Sequence, residues 1–88
     1  MTSTTTVQVT VRYFAAARAA AGNDEETIRI EPGTTVADLV DRLGARDAKL
    51  AKVLLRCTFL CDGIAVRDTE TVLRDAQTVD VLPPFAGG

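Results

Sequence analysis

The sequence predicts an α+β domain in which one mixed sheet of about five strands packs on one main helix. Three observations carry that prediction. Apolar and polar residues alternate at both ends of the chain, at residues 7–13 and 78–82, with the period of half-buried strands. Between them Thr35 opens a stretch whose apolar residues recur at helical spacing. The remaining apolar runs are short and separated by turn residues. With 88 residues there is room for one core only, because a chain this short buries roughly 60 to 65% of the surface its unfolded form exposes.

Taken in order, Val7, Val9, Val11 and Tyr13 alternate with Gln8, Thr10 and Arg12, which makes the first strand. The Ala-rich segment at 15–21 predicts a short helix or turn that stops at Gly22, a residue suited to a left-handed cap. Thr27 to Ile30 reads as a returning strand closed by Glu31-Pro32-Gly33, so the first two strands form a wide hairpin. Thr35 and Asp38 approximate a capping box, with Asp where Glu or Gln is usual, and Val36, Leu39, Val40 and Leu43 share one face. That pattern predicts the main helix, running to about Leu43 and ending near Gly44. Leu50, Val53 and Leu54 predict a further helical turn or two within 47–55. Residues 57–61 and 64–67 are apolar-rich runs separated by Asp62-Gly63, a strong hairpin dipeptide. The last strand, 78–82, is stopped by Pro83 and Pro84.

This order of elements would set the first and last strands side by side, as in a β-grasp (ubiquitin-like) fold. Residues 1–6 are expected to be a disordered N-terminus, 7–82 the domain, and 83–88 an extended tail ending in a flexible Gly-Gly.

Composition narrows the function. Ten basic and twelve acidic residues give a net charge of −2, which offers no electrostatic footprint for nucleic acid or an anionic membrane surface. The opening MTSTTTVQ lacks both a cationic start and an apolar run, and no window approaches the ~20 apolar residues that span a bilayer. The expectation is a cytoplasmic protein. There is no histidine, so the commonest general base and metal ligand are both missing and no nucleophile can have a histidine partner. No metal site is expected. Cys57 and Cys61 read as small buried hydrophobes, since a separation of about 13 Å along one strand would forbid a bridge.

The chemistry is instead expected in the tail. Pro83 and Pro84 fix φ and favour extension, aiming the chain outward from the last strand. The six residues from Pro83 on can reach roughly 20 Å. Gly87 and Gly88 carry no side chains, so a backbone can thread a narrow tunnel and an attacking group can approach the terminal carbonyl. Gly88 closes the sequence, and its carboxylate is the expected reactive group. Phe14 and Leu82 fall out of phase with the inward residues of their strands, which places them on the outer sheet face; together with Ile64 they are expected to form an apolar docking patch. Pro83, Pro84, Phe85, Ala86 and Gly87 join that patch as partner-binding residues.

Three stretches, VQVTVRYFAAARAAAG, PGTTVADLVDRL and VDVLPPFAGG, resemble the small subunit of molybdopterin synthase, the MoaD family, over residues 7–88. The resemblance implies a β-grasp sulfur carrier that binds no cofactor itself. An ATP-dependent activating enzyme would adenylate Gly88 and a sulfur donor would convert the acyl-adenylate to a thiocarboxylate. The tail would then enter the large synthase subunit, in a heterotetramer, and give its sulfur to a pyranopterin precursor of the molybdenum cofactor. The catalytic side chains would lie on the large subunit. The chain departs from many relatives at Cys61-Asp62-Gly63, where they have an Asn-containing turn, and at Ala76-Gln77, where they have Gly-Asp. Carriers for thiamine or cysteine synthesis, a ubiquitin-like protein modifier, and a β-grasp interaction domain with an idle tail are the alternatives.

Overall fold

The computed structural model describes residues 7–84. The expected disordered residues 1–6 and the tail residues Phe85, Ala86, Gly87 and Gly88 lie outside them. Strand β1 (Val7–Tyr13) buries its odd-numbered residues and turns the even ones outward, as the alternation requires. It pairs antiparallel with β2 (Glu25–Ile30), Val7 opposite Ile30 and Arg12 opposite Glu25. Between them runs the short helix α1 (Ala15–Ala21), closed by Gly22 at φ +80°, whose N–H donates to the Arg18 carbonyl. β2 begins two residues before the apolar run because Glu26 has partners: the Tyr13 hydroxyl donates to it at 2.7 Å and Arg46 Nη1 at 2.9 Å.

Helix α2 (Val36–Arg46) opens on a full capping box: Asp38 N–H donates to Thr35 Oγ1 at 3.1 Å, and Thr35 N–H to Asp38 Oδ2 at 3.2 Å. The helix does not stop near Gly44. It continues to Arg46, whose guanidinium reaches Glu26, and Gly44 serves as a contact point instead. A Cβ built there would lie 3.3 Å from the Ala51 Cβ, so its absence lets α3 (Ala48–Leu54) pack closely. Val36, Leu39 and Leu43 of α2, Leu50 and Leu54 of α3, and Ala17 of α1 bury against Val9, Val11, Val79 and Val81 of the sheet. All three helices thus sit on one face, the expected main helix α2 flanked by the two short helical segments the sequence also predicts.

A two-residue turn with Asp62 at φ +50° and Gly63 at φ +83° joins β3 (Thr58–Cys61) to β4 (Ile64–Ala65), as Asp-Gly predicts. β4 is shorter than the apolar run suggested. The chain then closes over the start of α2, and its Thr71 and Thr69 carbonyls accept from the Val36 and Ala37 N–H groups at 3.0 and 2.8 Å. Leu73, only 2% exposed, plugs the core from this segment. Neither feature shows a period that sequence reasoning can read. β5 (Thr78–Leu82) lies parallel to β1 and antiparallel to β3, giving the order β2-β1-β5-β3-β4 with the first and last strands adjacent at its centre. This is the β-grasp arrangement. No helix among the described residues is long and apolar enough to cross a membrane.

Candidate functional site

The parallel register sets Tyr13 beside Val81 and Arg12 beside Asp80, and the Phe14 N–H donates to the Val81 carbonyl at 3.2 Å. One step further, Phe14 and Leu82 leave their strands side by side on the helix-free face. Both are half-buried. The Arg12 guanidinium lies over the Phe14 ring, 5.3 Å from its centre, which keeps the aromatic on the outer face with Arg12. Arg12 Nε also approaches Asp80 Oδ1 at 3.4 Å, the two side chains being 47% and 16% exposed. That oxygen is buried and accepts no hydrogen bond, so the pair is electrostatic contact without donor geometry.

Ile64 does not join this patch. It pairs with Cys61, Cys61 pairs with Val79, and Val79 faces the helices, so the register puts Ile64 on the opposite face, 73% exposed at the sheet edge. The residue the sequence reading missed is Leu60. It stands opposite Asp80 and Ala65, half-buried on the outer face, next to Thr58, which pairs with Leu82. Its signal was its phase between Phe59 and Cys61, legible only once the register with β5 is known.

Pro83 continues the alternation of β5 inward and is buried, whereas Pro84 is exposed. The chain therefore does not leave the body at Leu82 but one residue later, wedged between α1 and α3. Both prolines line a shallow groove of about 280 Å³ with Ala16, Lys52, Val53 and Arg56. The predicted site thus separates into a patch of Phe14, Leu60 and Leu82 on one side of the sheet and the tail exit on the other, both within two residues of the end of β5.

Cys57 precedes β3 rather than lying in it, and both thiols are free and packed half-buried against the core. Cys57 Sγ donates to the Val53 carbonyl at 3.2 Å, and burial pushes its thiol up to about 11. Burial, helped by the charge of Asp62, also raises Cys61. Neither is a ready nucleophile at neutral pH. Tyr13 is raised as well, by burial and by its hydrogen bond to Glu26, and acts as a strut between β1 and β2.

The chain is similar to a molybdopterin synthase sulfur carrier subunit of Chlamydomonas reinhardtii, 32% identical over 83 residues, which are 93% of this chain and 100% of the relative. A solved structure described as molybdopterin converting factor subunit 1 of Pyrococcus furiosus superposes with a TM-score of 0.81 at 31% identity. That match covers 90% of this chain and 99% of the other. The solution structure of small archaeal modifier protein 1 from Methanosarcina acetivorans gives 0.79 at 26% identity, covering 97% and 100%. The model of the ThiS family matches residues 11–88, and the chain belongs to that family.

Proposed function

We propose that this protein is the sulfur carrier subunit of a molybdopterin synthase and that the carboxylate of Gly88 is where the sulfur is carried. The observation that carries the reading is the central parallel pairing of β1 with β5. It fixes the start of the tail against a packed body and sets the Phe14, Leu60 and Leu82 patch beside it. A partner gripping the patch would receive residues 85–88 in the same encounter. The similarity to the carrier subunit of Chlamydomonas reinhardtii and the family membership support the same reading.

The chemistry suits a chain with no histidine. An activating enzyme would join the carboxylate to the α-phosphorus of ATP with loss of pyrophosphate, turning a poor electrophile into a good one. A sulfur donor would displace AMP and leave a thiocarboxylate. On the large subunit that sulfur would pass to the pyranopterin precursor, with proton transfers handled by groups of the partner. The ATP-dependent step fits the cytoplasm expected from the sequence. A second reading, a ubiquitin-like modifier, is favoured by the likeness to small archaeal modifier protein 1. It shares activation and differs in its product, an isopeptide bond to lysine.

The test is intact-mass analysis after incubation with ATP, a competent activating enzyme and a sulfur source, followed by fragmentation. One oxygen-to-sulfur exchange at Gly88 supports the carrier, and conjugates to lysine support the modifier. No change at Gly88 defeats both. Removing Gly88 is expected to abolish charging without altering the thermal melt.

A further inference from the structure

Strand β2 forms one edge of the sheet, with β1 on one side and no strand on the other among the described residues. The alternation of an antiparallel ladder decides which of its backbone groups are left over. The Tyr13 N–H donates to the Asp24 carbonyl at 2.8 Å, so Asp24 and then Glu26, Ile28 and Ile30 turn their backbone groups toward β1. Glu25, Thr27 and Arg29 turn theirs to the open edge, and their side chains stand exposed on the helix-free face. Among the described residues one of these outward groups has a partner: the Arg29 carbonyl accepts from Arg42 Nη1 at 2.8 Å.

Charge runs along this edge from one sign to the other. Asp24, Glu25 and Glu26 open the strand, and Arg29 stands near its end with the Arg42 guanidinium laid against it. Charged residues on an edge ordinarily keep copies apart. Here neither Glu25 nor Arg29 belongs to a salt bridge among the described residues, although their neighbours Asp24, Glu26 and Arg12 do. A second strand with the same gradient, laid antiparallel, meets this one acid to base.

We propose that β2 is a self-pairing edge: two copies of the chain join antiparallel about a two-fold axis at Thr27, with Glu25 of each opposite Arg29 of the other. The register follows from the outward groups. A ladder forms only where outward residues oppose outward residues, because Glu26 and Ile28 already give their backbone groups to β1. Setting Thr27 opposite Thr27 makes two Glu–Arg pairs and a Thr–Thr contact on one face. Sliding the partner by one pleat sets Glu26 opposite Glu26 in one direction and Glu25 opposite Glu31 in the other, so like charges reject both neighbouring registers. The Arg29 carbonyl has a second lone pair, so its bond from Arg42 survives the pairing and adds a cation near the acidic start of the partner strand.

The interface is small. Strands of 6 residues place it in the weak, concentration-dependent class below about 1,200 Å². Leu60 and Leu82 lie beyond β1 in the strand order, so the pairing leaves them open and sets two outer-face patches on one continuous sheet. It draws on neither the tail nor its chemistry, and so stands apart from the carrier reading.

The test uses the whole chain alone. Sedimentation equilibrium from about 0.01 to 1 mM is expected to show a reversible monomer–dimer equilibrium. Over the same range, amide NMR spectra should move the Glu25, Thr27 and Arg29 N–H signals more than those of Glu26 and Ile28, and slow the exchange of the first three with solvent. Arg29→Glu, opposite the neutral Gln8 within its own chain, should raise the dimer Kd about tenfold or more by turning attraction into repulsion at both pairs. The double variant Glu25→Arg with Arg29→Glu keeps the net charge and should bring the Kd back toward that of the parent. The amide pattern of the parent decides the matter even where a variant fails to fold. A chain that stays monomeric over the whole range overturns the proposal, as does a dimer whose shifts centre on Phe14 and Leu82. So does a folded double variant that pairs no more tightly than Arg29→Glu.

Discussion

Replacing Phe14 with Asp separates a docking residue from a core residue, because the local geometry makes the change nearly neutral for the fold. Two losses are expected. The cation–π contact with Arg12, at 5.3 Å from the ring centre, contributes about 0.5 to 1 kcal/mol at an exposed site. Giving up the half-buried part of the ring costs about 1 kcal/mol more, taken as half the value of a fully buried Phe. One gain opposes them. Phe14 is the N-cap of α1, with φ −125° and ψ 149°, and no side chain fills that role; Asp there contributes about 0.5 to 2 kcal/mol. The net change runs from about 0.5 kcal/mol gained to about 1.5 kcal/mol lost, a melting shift of no more than about 12 °C for a domain of this size. Binding behaves differently. An aromatic anchor at the centre of an interface is worth about 2 kcal/mol or more, so on the proposed function, with Phe14 as such an anchor, the Kd for the large subunit proposed as partner should rise about 30-fold or further. Thermal melts by circular dichroism and titration calorimetry read the two quantities on one preparation. Leu39→Ala sets the scale for core damage, at about 2 to 5 kcal/mol. A Phe14→Asp melt that falls as far as that of Leu39→Ala would show the ring to be core. An unchanged Kd in a folded variant would remove it from the interface.

Three further outcomes are expected. Ala76 sits at φ +68°, where a Cβ costs about 1 kcal/mol, so Ala76→Gly should raise the melting temperature by a few degrees while keeping the 2.8 Å bond from its N–H to the Gln8 carbonyl. Gly44→Leu should cost about 1 to 3 kcal/mol by denaturant titration, because even a Cβ meets Ala51 at 3.3 Å and the longer side chain has to push α3 away. Cys57, pushed up to about 11 by burial, is neutral in the fold; its contribution to stability is complete below the ordinary thiol value near 8.5 and is lost as pH rises through 11. Alkylation of Cys57 at pH 8 should therefore be far slower in the folded protein than in urea, and equal rates would show that the thiol is not desolvated.

What the sequence made legible is what short-range physics decides. Alternation fixed β1 and β5 to the residue, because each has one buried face and one open face. The Thr35 and Asp38 pair announced α2, and Asp62-Gly63 announced the turn before β4. What escaped depends on partners remote in sequence. Gly44 looks like a helix stop until α3 is packed on it, when the missing Cβ becomes a contact that keeps the helix going. Leu73 reads as an isolated apolar residue in a loop until that loop is laid across the start of α2. At the candidate site the same division holds. Phe14 and Leu82 could be assigned to the outer face from the phase of their own strands. Ile64 and Leu60 could not, because their face is set by the register of β3 with β5, and a one-residue difference exchanges them. Pro83 was read as free tail from its type, but inward phase and the two neighbouring helices bury it.

The outer face carries a charged pair inside its apolar patch, and that mixture suits a carrier that must dock and leave. Phe14, Leu60 and Leu82 alone would make a strip of sheet prone to associating with its own copies. Arg12 and Asp80 break it at the centre, between the central strands β1 and β5. Their 3.4 Å approach leaves Asp80 Oδ1 without a hydrogen bond, so covering the pair with an apolar partner surface would add desolvation and return little. A partner with a donor aimed at Asp80 would recover that loss. The pair therefore sets orientation more than affinity. The proposed delivery of a group carried on the tail to a chosen partner, followed by withdrawal, needs that balance.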